Sequence, residues 1–122
     1  MKRKGLAILG ICIVLAGCAT IPTAPSLGGR WEGAWQFSDG SYIEKFSFDL
    51  VESGRTVTGS GVDEKGIAAK VTGEVSDTSF TLTVVPEDGS DPIVFSGKID
   101  TISIHGVWEV GGTTGPWAAE KR

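Results

Sequence analysis

Few side chains in this sequence are of the kinds that carry covalent chemistry. The single histidine, His105, lies between Ile104 and Gly106 in an alternating run. Its neighbours point one way along a strand and it points the other, which predicts a solvent-facing imidazole. A Ser–His–acid triad would have to use this residue, and no Gly-x-Ser-x-Gly elbow accompanies it. The two cysteines, Cys12 and Cys18, both lie near the N-terminus, so the rest of the chain can build neither a Cys–His pair nor a Cys/His metal cluster. Gly61-Val62-Asp63-Glu64-Lys65-Gly66 has the glycine spacing of a phosphate loop. The Lys-Ser/Thr that should follow is missing and no helix pattern comes after it, so it reads as a hairpin turn. Glu87-Asp88-Gly89-Ser90-Asp91 gathers oxygens of the kind calcium takes, but not in EF-hand order, and reads as a solvated acidic loop. Glu44, Asp63 and Glu109 supply carboxylates. Glycoside cleavage needs two of them facing each other across a cleft, and nothing in the pattern brings these together. The expectation is a protein that is not an enzyme and holds no metal or organic cofactor.

What remains is non-covalent. Trp31, Trp35, Phe46, Phe48, Phe95, Trp108 and Trp117 all fall on one alternating face. They either fill a core, where each ring buries a large area, or line a pocket. Tyr42 and Glu44 share that face with Phe46, toward one end of their strand. An acid there must be paired or neutral if buried. Glu44 therefore sits at a rim or makes a polar contact to a ligand. Trp35, Tyr42, Glu44, Phe46, Phe48, Trp108 and Trp117 are the candidate ligand-binding or core residues.

The elements that position them are strands. Glycine is frequent, β-branched and aromatic residues alternate with polar ones, and turn signals recur about every ten residues. The pattern predicts eight strands: Arg30–Phe37, Tyr42–Glu52, Arg55–Asp63, Ile67–Val75, Ser79–Val85, Ile93–Ile99, Ile102–Val110 and Pro116–Lys121. One face carries the aromatics above together with residues such as Phe37, Leu50, Val71, Leu82 and Ile102. The other is rich in Thr, Ser, Lys and Glu, as in an antiparallel sheet with one wet face. Gly33, Gly59, Gly61, Gly73, Gly97 and Gly106 interrupt the strands. Glycine repeated in strand after strand predicts sharp coiling and closure. Short connections favour a plain meander, so the expected fold is all-β, an eight-stranded antiparallel up-and-down barrel spanning residues 30–122.

The start of the barrel, Gly29-Arg30-Trp31-Glu32-Gly33-Ala34-Trp35, resembles the Gly-x-Trp opening of calycins, the lipocalin and avidin-like barrels. Gly106-Val107-Trp108 and Gly115-Pro116-Trp117 echo it. The resemblance implies a basic residue of the last strand, Lys121 or Arg122, packed over Trp31. It also implies a barrel able to bind a small hydrophobic ligand.

A different signal precedes the barrel. Lys2, Arg3 and Lys4 are followed by the uncharged apolar run Gly5 to Leu15. That run is shorter than the roughly 20 residues a membrane span needs. Leu15-Ala16-Gly17-Cys18 ends it and resembles the lipobox of bacterial lipoproteins. The resemblance implies that residues 1–17 are a signal peptide. It further implies that Cys18 carries diacylglycerol on sulfur and an acyl chain, such as palmitate, on its new amino group. More than one chain is what stable anchoring requires. Ala19 stands where an inner-membrane retention signal has Asp, which by the same resemblance implies an outer-membrane anchor facing the periplasm. Residues 18–29, with Pro22, Pro25 and Gly28-Gly29, read as the lipidated N-terminus and a flexible tether.

Removing residues 1–17 changes the charge. Lys2, Arg3 and Lys4 leave, so 8 of the 11 basic residues remain against 15 acidic ones, a net charge of −7. An acidic domain offers no basic face to nucleic acid and no attraction to an anionic bilayer, so the lipid must do the anchoring. With Cys12 removed and Cys18 lipidated, no disulfide supports the fold. Two functional expectations follow. One is a membrane-anchored calycin-like module that binds a small hydrophobic ligand. The other is a structural or protein-interaction envelope lipoprotein, inhibitor-like, with a filled barrel and an envelope protein as partner.

Overall fold

The computed structural model describes residues 26–122. The signal segment 1–17, Cys18 and tether residues 19–25 lie outside the described residues. Eight strands form: β1 (Gly29–Gln36), β2 (Tyr42–Ser53), β3 (Thr56–Asp63), β4 (Ala68–Ser76), β5 (Ser79–Pro86), β6 (Ile93–Asp100), β7 (Ser103–Val110) and β8 (Thr113–Lys121). Each pairs antiparallel with the next, and β8 returns to β1 through pairs from Trp31↔Lys121 to Trp35↔Trp117. The fold is a closed, all-β, up-and-down barrel, with no helix among the described residues. Alternation carries the design. Trp31, Val57, Val71, Leu82 and Ile104 point inward and are wholly buried, while Thr58, Lys70, Thr72 and Thr81 point out.

Closure of so small a barrel needs tight bends. Gly97 of β6 and Gly106 of β7 are directly paired, and a Cβ on Gly106 would overlap the Ser96 carbonyl oxygen. Only glycine lets the two backbones coil this closely.

The barrel has two unlike ends. At one, here the sealed end, lie the β2–β3, β4–β5 and β6–β7 turns and both ends of the described chain. At the other, the mouth, lie the β1–β2, β3–β4, β5–β6 and β7–β8 connections. The sealed end is closed by a segment that the composition assigns to the tether. Leu27 is wholly buried in the core. Its N–H donates to Glu52 Oε1 at 2.8 Å, and its carbonyl accepts the Trp31 indole N–H at 2.8 Å. Lys121 Nζ donates to the Ser26 carbonyl at 3.3 Å and stands 5.4 Å from the Trp31 ring centroid. The basic residue over Trp31 is therefore Lys121. Residues 26–28, which have linker composition, thus pack on the barrel, because a lone leucine gains more by burial than by exposure.

Four further expectations are corrected. Phe37 is 47% exposed, because β1 stops at Gln36 and Phe37 opens the β1–β2 loop. Ile102 is 61% exposed, since Asp100 pairs with Ser103 and leaves Thr101-Ile102 as a two-residue turn. Tyr42 is 51% exposed rather than inside. The register slips between Trp35↔Glu44 and Gln36↔Tyr42, leaving Ile43 as an extra residue in β2. A one-residue slip moves every later side chain to the opposite face. β8 also begins earlier than Pro116, because Gly111-Gly112, both at positive φ, complete the hairpin turn alone.

Candidate functional site

Aromatic rings fill the middle of the barrel. Phe46 and Phe48 of β2 lie 4.7 Å apart between ring centroids. Phe95 of β6 stands 5.5 Å from Phe46 and 4.9 Å from Trp117. These are the separations at which aromatic pairs attract. Trp117 and Trp108 are each 3% exposed. Their indole N–H groups donate to backbone carbonyls, Trp117 to Ser96 at 3.1 Å and Trp108 to Gln36 at 2.6 Å. Both are core residues whose polar atoms are satisfied internally. The Gln36 carbonyl is at the β1–β2 bulge, so the irregularity that expels Tyr42 also supplies the acceptor that holds Trp108.

What the aromatics leave open is a pocket of about 50 Å³ at the mouth. Trp35, Glu44, Phe46, Phe48, Asp63 and Phe95 line it, with Ile67, Ala69, Val84, Pro86 and Ile93. Of the candidate residues, Trp35, Glu44, Phe46 and Phe48 thus come together. Trp108 supports Trp35 from the side, 5.0 Å away and edge-on at 81°. Trp117 lies deeper, and Tyr42 is outside. At roughly 10–15 Å³ per water-sized probe, the pocket admits about three or four heavy atoms. Small-molecule sites usually enclose ~300–1,000 Å³.

The polar groups of the mouth are acidic. Asp63 pairs with Phe46 across β2–β3, which puts it on the inner face beside Glu44. Of the carboxylates singled out in the sequence, the register therefore brings Glu44 and Asp63 together, while Glu109 faces out from β7. Burial raises the pKa of Glu44, and repulsion from Asp63 raises it further; the Lys65 ammonium and the Trp35 indole N–H pull the other way. Asp63 Oδ1 accepts the backbone N–H groups of Lys65 and Ile67, each at 2.9 Å, and so shapes the β3–β4 turn. Outside the rim, Glu64 accepts hydrogen bonds from the Tyr42 hydroxyl and from the Lys45 N–H. The first bond lowers the Glu64 pKa most and raises that of Tyr42. The lining from Ile67, Val84 and Ile93 was visible in the alternation, but nothing in the sequence distinguished it from ordinary core.

A second concavity, about 640 Å³, is a shallow groove on the outer wall across β1 and β8. Ala34 and Ala118 face each other at its base, and the exposed His105 stands on its side. Arg30, Glu32 and Arg122, among its charges, are held in ion pairs. Arg122 Nη2 reaches Glu32 at 2.8 Å, and Arg30 reaches Asp49 at 3.1 Å. The Glu87–Asp91 loop is exposed, with Asp88 accepting the Ser90 N–H at 2.9 Å.

No protein-family model matches this chain, and no curated protein matches it.

Proposed function

We propose that this protein is a lipid-anchored lipoprotein of the bacterial cell envelope whose barrel works by contact with another envelope component. The observation that carries the second half is the filled interior. Phe46, Phe48, Phe95 and Trp117 occupy the space where a barrel ligand would lie. The first half rests on residues 1–18, with their basic start, short apolar run and Leu15-Ala16-Gly17-Cys18. The protein is not an enzyme in this reading. It needs no cofactor, and its acidic barrel does not bind nucleic acid.

The two halves fit together. Cys18 is nine residues before Leu27. At no more than ~3.5 Å per residue, that length keeps the sealed end within about 30 Å of the lipid. The mouth lies at the end of the barrel opposite the anchored chain, where a partner can reach it. With Ala19 after Cys18, the membrane in this reading is the outer one and the barrel faces the periplasm.

Metabolic labelling with palmitate tests the anchor. Wild-type protein takes up label and enters the detergent phase, and Cys18→Ser does neither. An unlabelled wild type, or a labelled variant, sinks the lipoprotein reading. Tryptophan fluorescence tests the contact reading. Titration with fatty acids, haem and small hydrophobes should give no saturable response. A saturable shift with one class would instead favour a calycin-like carrier of that ligand.

A further inference from the structure

The mouth pocket combines features that a mere packing gap would lack. Its floor is apolar, made by Phe46, Phe95, Val84 and Ile93, and its rim carries two inward carboxylates on neighbouring strands. Neither Glu44 nor Asp63 forms an ion pair among the described residues; the ion pairs found use Arg30 and Arg122 with Glu32 and Asp49, away from the mouth. Asp63 spends Oδ1 on its turn, which leaves its second oxygen for a guest. Two like charges side by side over an apolar floor repel each other, and a cation between them removes that cost. A bare metal ion would satisfy the rim and leave the floor unused. A neutral hydrophobe would do the reverse.

We propose that this pocket binds a primary ammonium group on a short alkyl stem, with the ammonium at Glu44 and Asp63 and the stem on Trp35 and the phenylalanine floor. The size agrees, because three or four heavy atoms is the length of a propyl or butyl stem, or of the outer methylenes of a lysine side chain, with the nitrogen outside at the rim. The chain's own Lys65, on the β3–β4 turn, acts on Glu44 through its charge and competes for that carboxylate. This inference does not depend on the anchor or on contact with an envelope partner.

The test uses the full chain in detergent micelles, titrated with n-butylammonium chloride while the Trp35 indole N–H resonance is followed. The expected result is a saturable shift that neither n-butanol nor sodium chloride reproduces. Glu44→Gln should weaken binding about tenfold or more, as loss of a charged hydrogen bond does. Lys65→Ala should strengthen it by about twofold, as removal of an exposed competing charge does. The Trp108 indole resonance, held by Gln36, reports that each variant stays folded. An equal response to n-butanol, or unchanged binding in folded Glu44→Gln, overturns the proposal. Nα-acetyl-lysine methylamide separates the two sources of such a group. Binding comparable to butylammonium points to a lysine of a partner protein, and binding of butylammonium alone points to a free amine.

Discussion

The sealed end and the mouth are built from the same eight strands and the same kinds of residue, yet they solve opposite problems. At the sealed end the polar groups close on each other. Trp31 donates to Leu27, Leu27 donates to Glu52, and Lys121 covers both Trp31 and Ser26. At the mouth the corresponding tryptophan, Trp35, is only half-buried, and the acids beside it repel one another. The first arrangement maximises stability. The second gives some of it up, and natural proteins do so chiefly where something is to be bound.

Substitutions can break this contrast, and the largest effect belongs to the sealed end. Trp31→Ala removes a wholly buried ring and orphans the Leu27 carbonyl, so it should cost about 3–5 kcal/mol in a denaturant melt. A cost below ~1 kcal/mol would mean that the sealed end does not hold the barrel. Trp35→Ala, at the mouth, should cost less, about 1–2 kcal/mol, because the ring is already partly in water. If the two variants lose equal stability, the ends are not different in kind.

The smallest effect sharpens the contrast most. The Glu44 pKa is raised by burial and by Asp63, so the folded protein holds that proton more tightly than the unfolded chain does. Protonation therefore favours folding at this site. Stability should rise as pH falls through the range just above ordinary glutamate values, and the gain should level off below them. Asp39 and Asp88, whose pKa values are lowered by hydrogen bonds from Ser41 and Ser90, act in the opposite sense at lower pH. The measurement is thus a difference, wild type minus Glu44→Gln, across a pH series of melts. A difference that stays flat with pH would show that Glu44 is fully solvated.

The sealed end and the mouth also differ in how far the sequence reveals them. Alternation identifies the inner face of nearly every strand, because burial on one side forces a period of two. Trp31, Phe48, Val71 and Trp108 are all legible that way. The bulge at Ile43 is not, since no glycine or proline marks it, and Tyr42 goes to the wrong face as a result. Asp63 looks like one more turn residue until the register sets it opposite Phe46, beside Glu44. Pocket membership is a property of cross-strand pairing, which a single chain's spacing does not encode. Leu27 was obscured differently. Prolines and glycines around it have linker composition, although one apolar residue four positions before Trp31 was a usable sign.

That leucine has a mechanical meaning. Any pull on the chain from its N-terminal side meets residues 26–28 before it meets the β1 ladder. The first bonds to bear load are then those from Leu27 to Glu52 and from Lys121 to Ser26. They can part and release a few residues of slack while β1 keeps both of its neighbours. Under such a load the segment would act as a shock absorber, yielding before the barrel strands.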